Sequence, residues 1–96
     1  MIEGKTKSGV KFKVDDVGLK NIEWKITKLM MKMYSEDEEE QVKAILSLME
    51  LVLGGQKGVD AFEDAIAKVH DGKLTNEIVI AEYRELLSAV GKSLKN

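Results

Sequence analysis

The chain has 96 residues, of which 44% are hydrophobic and 33% are charged, a mixture that suits one small globular domain rather than a disordered segment. Seventeen acidic residues against fifteen basic ones give a net charge of -2, which argues against a nucleic-acid-binding protein because positive charge is not in excess. The absence of cysteine excludes disulfides and cysteine-ligated zinc, and the absence of proline favours uninterrupted helices.

The first fourteen residues predict a short β-hairpin. Val10, Phe12 and Val14 alternate with lysines, which is the period of a strand with one buried face. Residues 7–9 supply turn chemistry, and residues 2–6 provide the partner strand. Since a two-stranded hairpin is marginally stable by itself, we expect its apolar face to pack on a helix.

A first helix is predicted from Asp15 or Asp16 to about residue 34, although Gly18 weakens its first turn. Its apolar residues recur at spacings of three and four, which is the pattern of a helix with one buried face. The residues of this stripe are Leu19, Ile22, Ile26, Leu29, Met30 and Met33.

A second apolar line runs along the same helix through Val17, Trp24 and Met31, with Lys28 beside it. At about 100° per residue this line falls opposite the first stripe, so it needs a cover of its own. Either the hairpin or the last helix covers it and Trp24 is core, or these four residues form an exposed surface for self-association or a partner protein.

The acidic stretch after this helix predicts the start of a second one. Ser35 followed three residues later by Glu38 is a capping-box pattern, and the carboxylates of residues 36–40 suit the positive end of a helix dipole. The helix is expected to end near Leu53, before two glycines. Its main apolar face is predicted to contain Val42, Ile45, Leu46, Met49, Val52 and Leu53. Because further apolar residues lie on its far side, we expect it to be the central helix.

Two more helices complete the chain. The third carries Val59, Phe62, Ile66 and Val69 on one face and closes at Asp71-Gly72, and the fourth starts at Thr75 or Asn76. Inward positions of the fourth helix are Val79, Tyr83, Leu86, Leu87, Val90 and Leu94. The predicted fold is therefore α+β and mostly α: one domain over 1–96, with a hairpin over 1–14, a compact bundle of about four helices over 15–90, and a frayed tail over 91–96.

No pattern in the sequence supports a metal site. The acidic turn at residues 36–40 cannot wrap six to eight oxygens around a calcium ion, and its charges are explained by helix capping. Residues 71–82 begin with Asp and end with Glu, as an EF-hand loop does. Lys73, however, stands where a ligand oxygen is needed, and Asn76 stands where the turn needs glycine.

Catalytic and cofactor motifs are not recognisable either. His70 is the only histidine and has no nucleophile pattern around it, so it is interpreted as a cationic residue at a helix end. The glycine-rich residues 54–58 follow a helix and lack the phosphate-loop spacing. We therefore predict a protein that is not an enzyme, with no catalytic residue, cofactor or metal.

The chain also lacks the features of a membrane protein. No apolar stretch approaches the roughly 20 residues that span a bilayer, and residues 1–9 have no apolar signal core. We expect no membrane or nucleic-acid partner and a cytoplasmic location.

The layout of elements resembles a known family. A hairpin, MIEGKTKSGVKFKVD, leads into a first helix, and a second helix ends in LVLGGQKG. The helix AFEDAIAKV, the turn DGKLT and a last helix EIVIAEYRELLSAVG follow. Together these resemble the small tail assembly chaperones of siphophages of Gram-positive hosts. The resemblance covers most of the chain and is most specific over residues 46–90.

This resemblance implies a function. Proteins of that family bind the long helical tape measure protein, keep it soluble while the tail tube assembles around it, self-associate and use no cofactor. In the host cytoplasm, the exposed apolar candidates on the first helix would then bind the partner. An alternative reading is a small acidic regulatory or adaptor protein that binds one folded partner.

Overall fold

The structure, a computed structural model, describes residues 1–95. Its elements are β1 (Ile2–Lys5), β2 (Lys11–Val14), α1 (Asp16–Lys20), α2 (Glu23–Lys32), α3 (Glu38–Val52), α4 (Gln56–Val69) and α5 (Asn76–Lys95). The predicted fold class, a short hairpin followed by a mostly helical bundle, is confirmed. The Cα radius of gyration of 12.7 Å is close to the value of about 13 Å typical of a folded chain of 100 residues.

The hairpin forms because its apolar residues share one side. β1 and β2 are antiparallel, with Ile2 opposite Val14 and Gly4 opposite Phe12. Val14 is buried, and the Phe12 ring covers Gly4 so closely that a Cβ there would lie 2.9 Å from the ring. In the connection, the buried Thr6 hydroxyl accepts a hydrogen bond from the Val10 amide at 3.1 Å.

The prediction of one continuous helix after the hairpin is wrong. Asp15 caps α1 by accepting hydrogen bonds from the Val17 and Gly18 amides at 3.2 and 3.3 Å, but α1 ends at Lys20. Ile22 then leaves helical geometry, with φ -119° and ψ 25°. Glycine and asparagine are poor helix formers, so Gly18 and Asn21 make this segment weak enough to bend. Within residues 1–95 there are consequently five helices, where the sequence predicted about four.

The start of α3 also differs from the capping box expected at Ser35. The cap is Asp37, whose carboxylate accepts a hydrogen bond from the Glu39 amide at 3.0 Å. Ser35 acts one step earlier, because its hydroxyl accepts from the Asp37 amide at 3.2 Å and hydrogen-bonds the Glu40 carboxylate at 3.1 Å. Glu38 and Glu39 lie in the first turn as predicted, whereas Glu36 and the capping Asp37 precede the helix.

This capping arrangement gives a testable stability difference. Asp37→Ala is expected to destabilise the protein by about 1 kcal/mol, because a helix amide loses its capping oxygen. Ser35→Ala is the matched control and is expected to cost less, since it supports the turn before α3 and not the helix itself. Urea unfolding followed by circular dichroism measures both, and a larger loss for Ser35→Ala would contradict the assignment of the cap.

α3 occupies the centre of the bundle, as predicted, and contacts α2, α4 and α5. Its buried residues are Ala44, Ile45, Leu48, Met49 and Val52. The predicted face was partly wrong, because Val42 and Leu46 are 41% and 49% exposed. At about 100° per residue, Val42 and Leu46 lie beside the polar strip formed by Lys43, Ser47 and Glu50, so they are at the edge of the apolar face and stay accessible.

α4 and α5 form the other side of the bundle. Val59, Phe62 and Ile66 are buried as predicted, whereas Val69 is partly exposed. The predicted start of the last helix is confirmed, since the Thr75 hydroxyl accepts a hydrogen bond from the Ile78 amide at 3.2 Å.

The carboxyl-terminal boundary lies later than expected. α5 continues to Lys95, beyond the predicted end near Val90, and Leu94 is buried. The ammonium of Lys20 donates a hydrogen bond to the Leu94 carbonyl at 3.1 Å, so packing against α1 supports the final turns. Residue 96 of the predicted frayed tail lies outside the described residues.

Candidate partner-binding surface

A groove of about 650 Å³ runs between α2 and α5. Its floor is apolar, because the inward faces of both helices supply it. The residues of this floor are Ile26, Met30, Met33, Leu87 and Leu94. A pocket of this size with an apolar lining is within the range that binds ligands or partner side chains.

Small residues on α5 explain why the groove stays open. Ser88 and Gly91 both line it, and neither carries a side chain large enough to fill the space between the helices. A Cβ at Gly91 would lie 3.5 Å from the sulfur of Met30, so Met30 on α2 sits directly over this glycine. The groove therefore forms where the small Gly91 of α5 faces the flexible side chain of Met30 on α2.

The outer wall of the groove is an exposed apolar surface on α2. Met31 and Tyr34 line the groove and are 68% and 79% exposed. Trp24, which is 69% exposed, lies seven residues before Met31 and therefore on the same side of α2. The reading of Trp24 as a core residue is thus wrong, and the surface formed by Trp24, Met31 and Tyr34 extends the apolar groove into solvent.

The structure brings together three of the four residues singled out by spacing. Lys28 lies one turn from both Trp24 and Met31 on α2, so these three share a surface. Val17 is 73% exposed but belongs to α1, on the other side of the break in the chain. The seven-residue line assumed one straight helix, and the turn at residues 21–22 removes that basis for including Val17.

Tyr34 and the α5 side of the groove were missed by the sequence reasoning. Tyr34 follows the last turn of α2 and was not assigned to either apolar line. Gly91 gave the only available signal, since a glycine inside a helix often marks a close approach or a packing role. That signal does not say which element approaches, so the groove could not be located from it.

The charges around the groove are mainly positive. Arg84 and Lys92 of α5 are among the lining residues. Glu23 is the carboxylate among the lining residues that the structure describes, and it forms an ion pair with Lys20 at 3.2 Å. Local pairing therefore offsets the negative charge while the basic groups remain available.

A separate cluster of polar side chains, outside the groove, joins α4 to α5. His70 Nε2 lies 3.4 Å from the Glu82 carboxylate, which is 3% exposed. Tyr83 is fully buried, donates a hydrogen bond to Glu63, and stacks on Phe62 with 6.0 Å between ring centroids. Burial, followed by the hydrogen bond and negative charge of Glu63, raises the pKa of Tyr83 above its ordinary value of 10.0.

This polar cluster has the geometry of a helix–helix contact. Glu82, the last residue of the EF-hand-like stretch, lies inside α5 and faces His70. Asp71 and Gly72, with φ of 56° and 83°, form the left-handed end of α4. Within residues 1–95, no group of three or more His, Asp or Glu side chains is placed to hold a metal ion.

Residues 1–95 contain no helix long and apolar enough to cross a membrane. Comparison of the chain with protein-family models, with curated proteins and with solved structures found no match.

Proposed function

We propose that this protein is a non-catalytic assembly chaperone of the siphophage tail type, which binds helical segments of a tape measure protein in the host cytoplasm. The observation that carries the proposal is the apolar groove between α2 and α5, together with its exposed extension at Trp24, Met31 and Tyr34. An amphipathic helix binds such a groove with its apolar face, and burial there shields that face from aggregation.

The side chains of the groove suit a partner with many similar segments. Methionine is flexible and polarizable, so Met30, Met31 and Met33 can adapt to different apolar side chains. Gly91 leaves room for the Met30 side chain to move. A chaperone needs this tolerance, because a long helical partner presents many related surfaces rather than one epitope.

Self-association forms part of the same proposal. Val42 and Leu46 lie four residues apart on α3, and both are substantially exposed. This pair forms an apolar strip separate from the α2–α5 groove, so copies could associate while their grooves hold the partner.

Matched charge insertions test the role of the groove. Met31→Glu and Val17→Glu introduce the same carboxylate at positions of nearly equal exposure, 68% and 73%, but only Met31 lines the groove. In pull-downs from cells producing the native partner, wild type and Val17→Glu are expected to recover a long, largely helical protein. Met31→Glu and Trp24→Glu are expected to lose it.

Circular dichroism and thermal unfolding are the controls. All three substitutions are at exposed sites, so each is expected to change stability by no more than about 0.5 kcal/mol. Recovery of the helical partner by a folded Met31→Glu variant at the wild-type level would refute the groove as the binding site.

The exposed acidic turn of α3 favours one alternative. Glu38, Glu39 and Glu40 start the helix beside Glu36 and Asp37, and such a concentration of carboxylates suits a basic site on a folded protein. An adaptor of this kind would be a monomer that forms one stoichiometric complex. Light scattering of the purified protein and of the recovered complex separates this outcome from a self-associating chaperone.

A further inference from the structure

Positive charge lies along the α5 side of the α2–α5 groove. On α5, Arg84 and Lys92 line it directly. On α2, Lys28 lies one turn from Trp24 and Met31 but outside the groove lining, on the outer side of the exposed wall. None of these three cations is in the ion pairs formed within residues 1–95. Their charges are therefore not neutralised inside the protein and remain available to a bound partner.

The positive groove is part of a wider division of charge along the chain. Residues 1–34 contain eight of the fifteen basic residues but only four of the seventeen acidic ones. α2 belongs to this basic part, so its charge contrasts with the net charge of -2 of the whole chain. Among the groove's own lining residues, Arg84 and Lys92 outnumber the paired Glu23, so the local charge is opposite in sign to that of the whole chain.

The length of the groove limits its occupant. Its lining residues on α5 run from Arg84 to Leu94, which is about 15 Å of helix at 1.5 Å per residue. A helix lying along it would contact the floor over about ten residues, or about three turns. Within that length, apolar side chains at spacings of three and four can reach the floor while the neighbouring positions face the rims.

We infer that the α2–α5 groove binds an amphipathic helix of about three turns whose apolar stripe is flanked by acidic residues. The inference rests on the proposed function and specifies the chemistry of the segments that the protein selects. The apolar stripe packs on Met30, Met31 and Tyr34, the apolar lining residues that remain accessible. The acidic flank on the α5 side pairs with Arg84 and Lys92. A helix with lysine flanks meets like charge on the α5 side.

Synthetic peptides test this charge selection directly. Two peptides share one apolar stripe, with glutamate flanks in the first and lysine flanks in the second, and a third scrambles the glutamate peptide to destroy its stripe. None contains tryptophan, so the emission of Trp24, the only tryptophan of the protein, reports binding. We expect at least tenfold tighter binding of the glutamate peptide than of the other two at low ionic strength. The difference in affinity between the glutamate and lysine peptides should shrink in about 1 M salt, where the screening length falls to about 3 Å.

Charge-reversed variants of equal net charge locate the effect. The double variant Arg84→Glu, Lys92→Glu changes the two lining cations and is expected to reverse the preference between the two striped peptides. The control Lys57→Glu, Lys68→Glu makes the same charge change on exposed positions of α4 and is expected to keep the wild-type preference.

Equal binding of the two striped peptides, or reversal by the α4 control, would overturn the charge inference while leaving a helix-binding groove intact. Failure of both striped peptides to bind or to change Trp24 emission would overturn the proposed function as well. Equal binding of the scrambled peptide would show attraction by charge alone and would overturn the helical requirement.

Discussion

Alanine at Gly58 is expected to destabilise the protein by about 2 kcal/mol or more, whereas alanine at Gly91 is expected to stabilise it by about 0.5 kcal/mol. Both glycines lie inside helices, α4 and α5, without a positive φ. The same substitution therefore gains helix propensity at both sites. The sign differs because the two surroundings differ.

The difference comes from the atoms that a new Cβ would meet. At Gly58 it would lie 1.9 Å from the Leu53 carbonyl oxygen, a backbone atom that cannot move without shifting the connection between α3 and α4. At Gly91 its nearest neighbour would be the Met30 sulfur at 3.5 Å, an ordinary contact with a flexible side chain. Gly58 thus allows α4 to start close against the end of α3.

Thermal and urea unfolding of the two variants measure the effect. For a chain of this size, 2 kcal/mol corresponds to a melting temperature lower by about 10 °C. A Gly58→Ala protein as stable as wild type would show that the α3–α4 connection is looser than the structure indicates.

Alkaline pH is expected to destabilise the protein through Tyr83. The folded state raises the pKa of Tyr83, whereas in the unfolded chain the phenol ionises near its ordinary value of 10.0. The stabilising contribution is therefore complete below pH 10 and falls as pH rises toward the folded pKa. While the folded phenol stays neutral, the loss approaches about 1.4 kcal/mol per pH unit above 10.

Phenylalanine substitutions isolate this contribution. Tyr83→Phe removes the titrating group, so its unfolding free energy should fall less steeply above pH 10 than that of wild type. Tyr34→Phe removes the exposed tyrosine and should keep the wild-type slope. The comparison uses slopes because Tyr83→Phe also loses the hydrogen bond to Glu63 at neutral pH. Parallel curves for wild type and Tyr83→Phe would contradict the prediction.

The parts of the fold that the sequence predicted depend on local periodicity. Leu19, Ile26 and Met33 follow a helical spacing, and all three are buried even though a turn separates the first from the others. The connection at Gly54-Gly55 was also predictable, because paired glycines favour a left-handed helix end. Both residues have positive φ values in the structure.

The predictions were wrong where two local backbone conformations, such as two possible helix starts, have similar energies. Ser35 and Asp37 are both good capping residues two positions apart, and only the path of the chain into α3 selects Asp37. The turn at Asn21 likewise depends on how α1 packs against α5, which is a tertiary effect. Sequence patterns favour each of these options almost equally, so packing decides.

The candidate site was predictable only on its α2 side. Trp24 and Met31 share a face by helical spacing alone, and their exposure agrees with the surface reading. The groove itself requires α5 to lie beside α2, with Gly91 opposite Met30. Residues about sixty positions apart in the sequence create it, and no local pattern encodes that meeting.

The contacts between the two ends of the described chain constrain the order in which the protein can fold during synthesis. The Lys7 amide donates a hydrogen bond to Glu85 at 3.0 Å, and Lys20 bonds the Leu94 carbonyl. An isolated hairpin is marginally stable, so β1, β2 and α1 must wait until the ribosome has released α5. During that interval their apolar residues, Val10, Val14 and Leu19, stay accessible to other chains.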